Sequence, residues 1–253
     1  MKRNEKTWDE IGEVWDTSGE NVRAWAKKSF FTKKEKIKTK KSSFQKLQRK
    51  MRKRIGILGG TFDPFHKGHL MLAKTAYEQF ELDEVWIMPN GNPPHKRNIE
   101  QTDFLMRCEM IRLAVNEEPG LVLCDYEGSE DSYHFTFQTL GEFQRLYPEY
   151  EFYFIIGADS LRDFPTWREP GIISKLCTLL VACRDESGID ELKAKIAEMN
   201  ERYGTKCLIM NSPKVDAASS EIRKMVLEGM DVSNYVGKEV SDYIQQKKLY
   251  VTI

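Results

Sequence analysis

From residue 54 onward, short apolar runs alternate with longer stretches in which apolar and polar positions are mixed at helical spacing. Runs rich in Val, Ile, Leu, Phe and Tyr near 54–58, 84–89, 121–126, 151–157, 178–183 and 206–210 predict six strands. A helix-length stretch separates each run from the next, and that alternation predicts an α/β fold: a doubly wound parallel sheet with helices on both faces. Ligands of such sheets bind outside the carboxyl ends of the strands, so the residues just after each run are where chemistry is sought.

The first 53 residues follow a different pattern. Trp8, Ile11 and Trp15 fall on one helical face behind a Thr7 cap with Glu10 as its capping partner. Ser18 caps a second helical stretch in which Val22 and Trp25 are apolar and Arg23, Lys27 and Lys28 are exposed. The pair, residues 1–32, resembles a small helix-turn-helix of phage-type DNA-binding modules, with Asp16 where such turns place glycine. The plainer alternative is an amphipathic pair that packs on itself or on the main domain. Residues 33–53 read as a basic linker, with Phe44, Leu47 and Met51 keeping helical spacing.

Charge sharpens this division. The chain holds 39 Lys and Arg against 39 Asp and Glu, yet residues 33–54 carry twelve cations against the single Glu35, a net of +11. Residues 1–32 are balanced, so residues 55–253 carry the compensating −11. A nucleic-acid partner for residues 1–54 fits that asymmetry, as does a solvated linker with no partner. Five cysteines, with no C-x-x-C pair, read as buried small hydrophobes in a reducing compartment. There is no apolar run of the roughly eighteen residues a membrane span needs and no signal-peptide core, so the expected location is cytoplasmic, with no membrane partner. The sequence leaves a homo-oligomer open.

The densest chemistry lies in Gly59-Gly60-Thr61-Phe62-Asp63-Pro64-Phe65-His66-Lys67-Gly68-His69, between the first strand and an apolar-periodic stretch from Leu70. Gly59 and Gly60 leave room for a close ligand, and the start of the following helix offers unpaired N–H groups and a positive dipole end, which together suit phosphate. His66 and His69 are three apart, so both imidazoles can face whatever sits over the turn. Neither G-x-G-x-x-G nor the P-loop pattern occurs.

Each feature alone is common, but the eleven residues together closely resemble the signature of the HxGH nucleotidylyltransferase superfamily. The form GGTFDPxHxGH resembles bacterial nicotinate-nucleotide adenylyltransferases, and further motifs follow in order. Pro93-Pro94-His95-Lys96 resembles that family's PPHK loop, and the resemblance implies a phosphate contact for Lys96. Arg107, Met110, Leu113 and Ala114 match R-x-x-M-x-x-L-A, with Arg107 read as structural rather than catalytic. Phe135, Thr136, Thr139 and Leu140 align with S-Y-T-x-x-T-L, with His134-Phe135 in place of Ser-Tyr. The family holds the nicotinate end of its substrate there, through backbone amides and an aromatic ring. Gly157-Ala158-Asp159-Ser160-Leu161 with Phe164 and Trp167 matches GxDxLxxFxxW, which implies a ribose contact for Asp159 and a pyridine-stacking wall in Trp167.

Arg184 ends the fifth predicted strand, where the family continues with proline and this chain has Asp185. Ser219, Ser220 and Arg223 resemble ISSTxIR, with Ala217 and Ala218 replacing its first two residues. Hydroxyls, helix-start amides and a forked cation there suit the outer phosphates of ATP.

The resemblance spans residues 54–251 and implies a Rossmann-like nucleotidylyltransferase domain over 54–253. It implies transfer of the adenylyl group of ATP to nicotinate mononucleotide, with Mg²⁺ carried by ATP and no protein metal cage. His66, His69 and Arg223 would be catalytic. Gly59, Gly60, Thr61, Phe62, Gly68, Gly157, Asp159, Arg184, Ser219 and Ser220 would bind ATP. Lys96, Phe135, Thr136 and Trp167 would bind the second substrate. The alternatives are nicotinamide mononucleotide or phosphopantetheine as acceptor, and a DNA-binding regulator that senses NAD precursors. Phosphopantetheine enzymes resemble one another in having threonine where His66 stands, which counts against that acceptor.

Overall fold

The computed structural model describes residues 52–91, 101–128, 135–183, 188–213 and 215–251. The helical pair at 1–32, the basic segment through residue 51, Lys96 and Arg184 lie outside them. The described residues form one six-stranded sheet with every strand pair parallel. Its strands are β1 (Arg54–Gly60), β2 (Glu84–Pro89), β3 (Leu121–Leu123), β4 (Glu151–Gly157), β5 (Thr178–Cys183) and β6 (Cys207–Asn211), in the order β3-β2-β1-β4-β5-β6. The order reverses between β1 and β4, which pair from Arg54 opposite Glu151 to Leu58 opposite Ile155. That reversal opens a crevice at the carboxyl ends of β1 and β4.

Side-chain alternation shows why these runs are strands. Ile55 and Ile57 of β1, Phe152, Phe154 and Ile156 of β4, and Leu179 and Val181 of β5 point to one face. Leu58, Tyr153, Ile155, Leu180 and Ala182 point to the other. Both faces are apolar because helices cover both. On the Leu58 side lie α1 (Lys67–Gln79) and α2 (Phe104–Val115), through Leu72, Ala73, Ala76, Ile111 and Val115. The Ile57 side is covered by α3 (Thr136–Leu146), α4 (Ala158–Asp163), α5 (Pro170–Leu176) and α6 (Ile189–Tyr203).

A third apolar cluster joins Met110 of α2 to the end of the chain. It contains Ile222 from α7 (Ser219–Leu227), Val236 from α8 (Ser233–Val236), and Val240 and Ile244 from α9 (Lys238–Lys247). This cluster anchors the C-terminal helices beside the β1–α1 turn.

The doubly wound parallel sheet expected from the sequence is therefore observed. β3 stops at Leu123 rather than 126 because the chain turns into a short 3-10 segment, Tyr126–Gly128, which buries Glu127. None of the described helices is long and apolar enough to cross a membrane. None of the five cysteines forms a disulfide. Burial pushes the thiols of Cys108 and Cys207 up to about 11, so they act as packing groups rather than nucleophiles.

Candidate active site

The β1–α1 turn is built by the sequence immediately around it. β1 runs through both glycines, so Gly59 and Gly60 hold strand conformation at its carboxyl end. A Cβ on Gly60 would lie 2.7 Å from the Phe62 ring, so only glycine lets that ring close over the strand end. Phe62 itself sits in the left-handed region at φ 52° and is almost fully buried. Its ring meets Phe65 and His69 edge-on, at centroid distances of 5.4 and 4.9 Å. Burial of the ring offsets a backbone conformation that L-residues avoid. The Asp63–Pro64 peptide bond is cis.

Helix α1 begins three residues earlier than the apolar pattern suggests, because its two histidines cap it. The Gly68 N–H donates to Nδ1 of His66 at 3.1 Å, and the His66 N–H donates to Nδ1 of His69 at 3.4 Å. The two imidazoles thus form a reciprocal capping box, and their rings stack at 3.7 Å with 24° between planes. Because both Nδ1 atoms accept, the hydrogen-bond pattern assigns the proton of each neutral ring to Nε2. Each Nε2 is then a hydrogen-bond donor whose direction is set by the helix start. A Cβ on Gly68 would stand 3.0 Å from the His66 ring, which explains glycine between the histidines.

Residues far away in sequence hold this turn. Arg107 is 1% exposed, and its guanidinium donates to Thr102 O at 3.0 Å, Thr61 O at 2.7 Å and Asn90 O at 2.9 Å. Burial pushes its pKa down, and the nearby Asp63 carboxylate opposes that shift. Asp63 accepts the Thr102 N–H at 3.2 Å and the Tyr250 phenol at 2.6 Å. Burial, and then the Asp63 charge, raise the Tyr250 pKa above the ordinary phenol value. From α7, Arg223 donates to Asp63 O at 2.6 Å and Ser219 Oγ to Pro64 O at 3.0 Å. Both side chains are expected to meet ATP phosphates, and here each uses one donor on the turn itself. Ser220 is exposed at the start of the same helix.

Beside the turn lies a cleft of about 520 Å³ between β1 and β4. Gly59, Gly60, Phe62 and His69 line its β1 side, Phe135 and Thr136 the start of α3, and Gly157, Asp159 and Trp167 the region after β4. Trp167 stands edge-on to Phe154 at 6.1 Å, which sets its indole as a wall. Asp159 pairs with Arg162 at 2.5 Å, and its side chain is almost fully exposed.

Glu127 and Arg168 line the same cleft, and neither was singled out from sequence. Glu127 is buried with Thr139 Oγ1 at 2.9 Å, and that burial raises its carboxyl to about 7. Among the described residues, no group of three or more His, Cys, Asp or Glu is placed to hold a metal ion.

Comparison with known proteins accords with this geometry. Residues 57–225 match the family described as cytidylyltransferase-like. The protein named "probable nicotinate-nucleotide adenylyltransferase" from Lachnoclostridium phytofermentans is 35% identical over 199 residues, covering 79% of this chain and 100% of that protein. Its namesake from Clostridium kluyveri is 36% identical over 200 residues, covering 77% and 97%. The chain belongs to the nicotinate-nucleotide adenylyltransferase family.

A solved member, the Plasmodium falciparum nicotinic acid mononucleotide adenylyltransferase complexed with NaAD, superimposes with a TM-score of 0.65 at 26% identity, covering 79% of this chain and 98% of that one. The same enzyme complexed with APC gives a TM-score of 0.64.

Within the family frame, most of the predicted residues that the structure describes fall into two groups. Gly59, Gly60, Phe62, His69, Phe135, Thr136, Gly157, Asp159 and Trp167 meet in the cleft. His66 and Gly68 bond to one another at the start of α1, and Ser219 and Arg223 donate to Pro64 and Asp63 of the turn. Arg107 is structural, as expected. Glu127 carried no local signal in a stretch with several acidic residues. Arg168 was overshadowed by Trp167 before it.

Proposed function

We infer that this chain transfers the adenylyl group of ATP to nicotinate mononucleotide, giving deamido-NAD and pyrophosphate. The observation that carries this reading is the aromatic-walled cleft running from His69 to Trp167 at the point where strand order reverses. One end offers phosphate donors and the other offers a flat apolar wall for a pyridine. A phosphate oxygen of the mononucleotide attacks the α-phosphorus of ATP, and the bond from that phosphorus to the oxygen bridging to the β-phosphate breaks. The attacking phosphate is already anionic near neutral pH, so no general base is needed.

The work left to the protein is positioning and charge stabilisation. Nε2–H of His66 and of His69 donates to the phosphates at the breaking bond, and Gly60, Thr61 and the α1 start cradle them. The guanidinium of Arg223 has N–H groups beyond the one bonded to Asp63, and these face the outer phosphates with Ser220. Asp159 accepts from a ribose hydroxyl, and Trp167 stacks on the pyridine. Lys96 and Arg184 complete the anion contacts. Mg²⁺ enters as MgATP. The unbridged thiols suit a cytoplasmic enzyme.

Pyrophosphate release by the full chain, supplied with MgATP and nicotinate mononucleotide, tests this reading. Substituting His69→Ala lowers kcat by at least about tenfold, the cost of removing one preorganised donor, while circular dichroism stays unchanged. Unchanged turnover would remove the imidazole from the chemistry.

A further inference from the structure

The mononucleotide phosphate has to lie by the β1–α1 turn to reach ATP, so the ring substituent of its pyridine lies at the other end of the cleft. Phe135, Thr136, Trp167 and Arg168 meet there. Among the described residues that line the cleft, Arg168 is the one lysine or arginine, while Glu127 and Asp159 bring carboxyl groups. The guanidinium lies over the face of Phe135, with Cζ 4.6 Å from the ring centroid. Among the described residues it makes no ion pair. A guanidinium held over an aromatic face can still offer its N–H groups to a planar carboxylate in bidentate fashion.

The backbone around it is fixed on both sides. The Trp167 N–H donates to Phe164 O at 3.1 Å. Glu169, held in the left-handed region at φ 55°, accepts from Ile172 N and Ile173 N at 2.9 and 3.2 Å as the start of α5. Arg168 therefore projects from a backbone held at both flanking residues.

We propose that Arg168 is the residue that makes this site select the acid mononucleotide over the amide, by pairing its guanidinium with the pyridine carboxylate from its seat on Phe135. A primary amide carries no charge to answer the guanidinium, whereas a carboxylate in a cleft that also holds Asp159 gains from a cation beside it. The inference rests on the adenylyl-transfer reading and adds the group that recognises its acceptor.

The test uses the full chain and two variants, Arg168→Gln and Arg168→Lys, with saturating MgATP and either nicotinate or nicotinamide mononucleotide. Arg168→Gln raises KM for the acid by about tenfold, within the range for a lost charge-assisted contact, and leaves KM for the amide within twofold. Arg168→Lys keeps the charge without the fork and falls between. Thermal melts of both variants match the parent, since the side chain is exposed. Parent activity with an acid-to-amide ratio that stays the same in both variants overturns the assignment of Arg168 alone. A parent chain inactive with both mononucleotides overturns the adenylyl-transfer reading and this inference with it.

Discussion

Replacing Arg107 is the sharpest perturbation of the scaffold that shapes the site. Its guanidinium makes three short bonds to carbonyls of three segments, Thr61, Asn90 and Thr102, and a longer one to Gly91 O at 3.5 Å. Hydrogen bonds to charged groups contribute roughly 1.5–3 kcal/mol each, so three would sum to about 5–9 kcal/mol if they were independent. They are not independent, and desolvation of a cation that is 1% exposed offsets part of the gain.

Removing the cation also leaves those carbonyls without their partner in a volume that water refills only in part. We therefore expect Arg107→Ala to cost about 3–5 kcal/mol, the usual loss when one partner of a buried charged contact is deleted. Arg107→Lys keeps a charge but cannot span three segments from one nitrogen, and should cost about 1–3 kcal/mol. Urea unfolding followed by tryptophan fluorescence measures both. The KM for ATP should rise in the surviving Lys variant, because the β1–α1 turn loses its tie to the loop after β2. A loss below about 1 kcal/mol for Arg107→Ala would refute the reasoning, since even one unsatisfied buried carbonyl costs that much.

Other expectations follow from single contacts. Glu127 has a folded-state carboxyl near 7, raised from the ordinary carboxylate range by burial. The folded state therefore binds more protons than the unfolded one between those values, and its contribution to stability is full at acid pH and lost as pH rises through 7. Thermal melts of the parent and Glu127→Gln at pH 5 and pH 8 should show the parent losing more on going to pH 8, and parallel losses would contradict this. Tyr250→Phe removes the phenol that donates to Asp63 at 2.6 Å. It should cost about 1–2 kcal/mol by denaturation and raise KM for ATP more than it lowers kcat. Gly60→Ala sets a methyl 2.7 Å from the Phe62 ring, so steady-state assays should show a large loss in kcat/KM at both substrates.

Local patterns carried most of the fold. Ile55 and Ile57 alternate with Leu58 across a sheet covered on both faces, so apolar runs at β-strand length gave five of the six strands within two residues at either end. β3 fell short because its predicted end is captured by Glu127, whose burial depends on α3, a partner outside its own stretch of sequence. The glycines and histidines of the β1–α1 turn were legible for a similar reason: they cap and contact one another within eleven residues. Arg107 reaches Thr61 across 46 residues, and Tyr250 reaches Asp63 across 187. No periodicity encodes such pairs. The contacts of Ser219 with Pro64 and of Arg223 with Asp63 were hidden for the same reason, since those carbonyls come close only after the C-terminal helices dock on α2.

A crystal structure of the full chain with Mg²⁺ and a non-hydrolysable ATP analogue bears most directly on how the turn works. The triphosphate should rest over Gly60 and Thr61, with Nε2 of His66 and of His69 within hydrogen-bonding distance of its oxygens. A triphosphate bound away from the β1–α1 turn, with neither imidazole within reach, would contradict it.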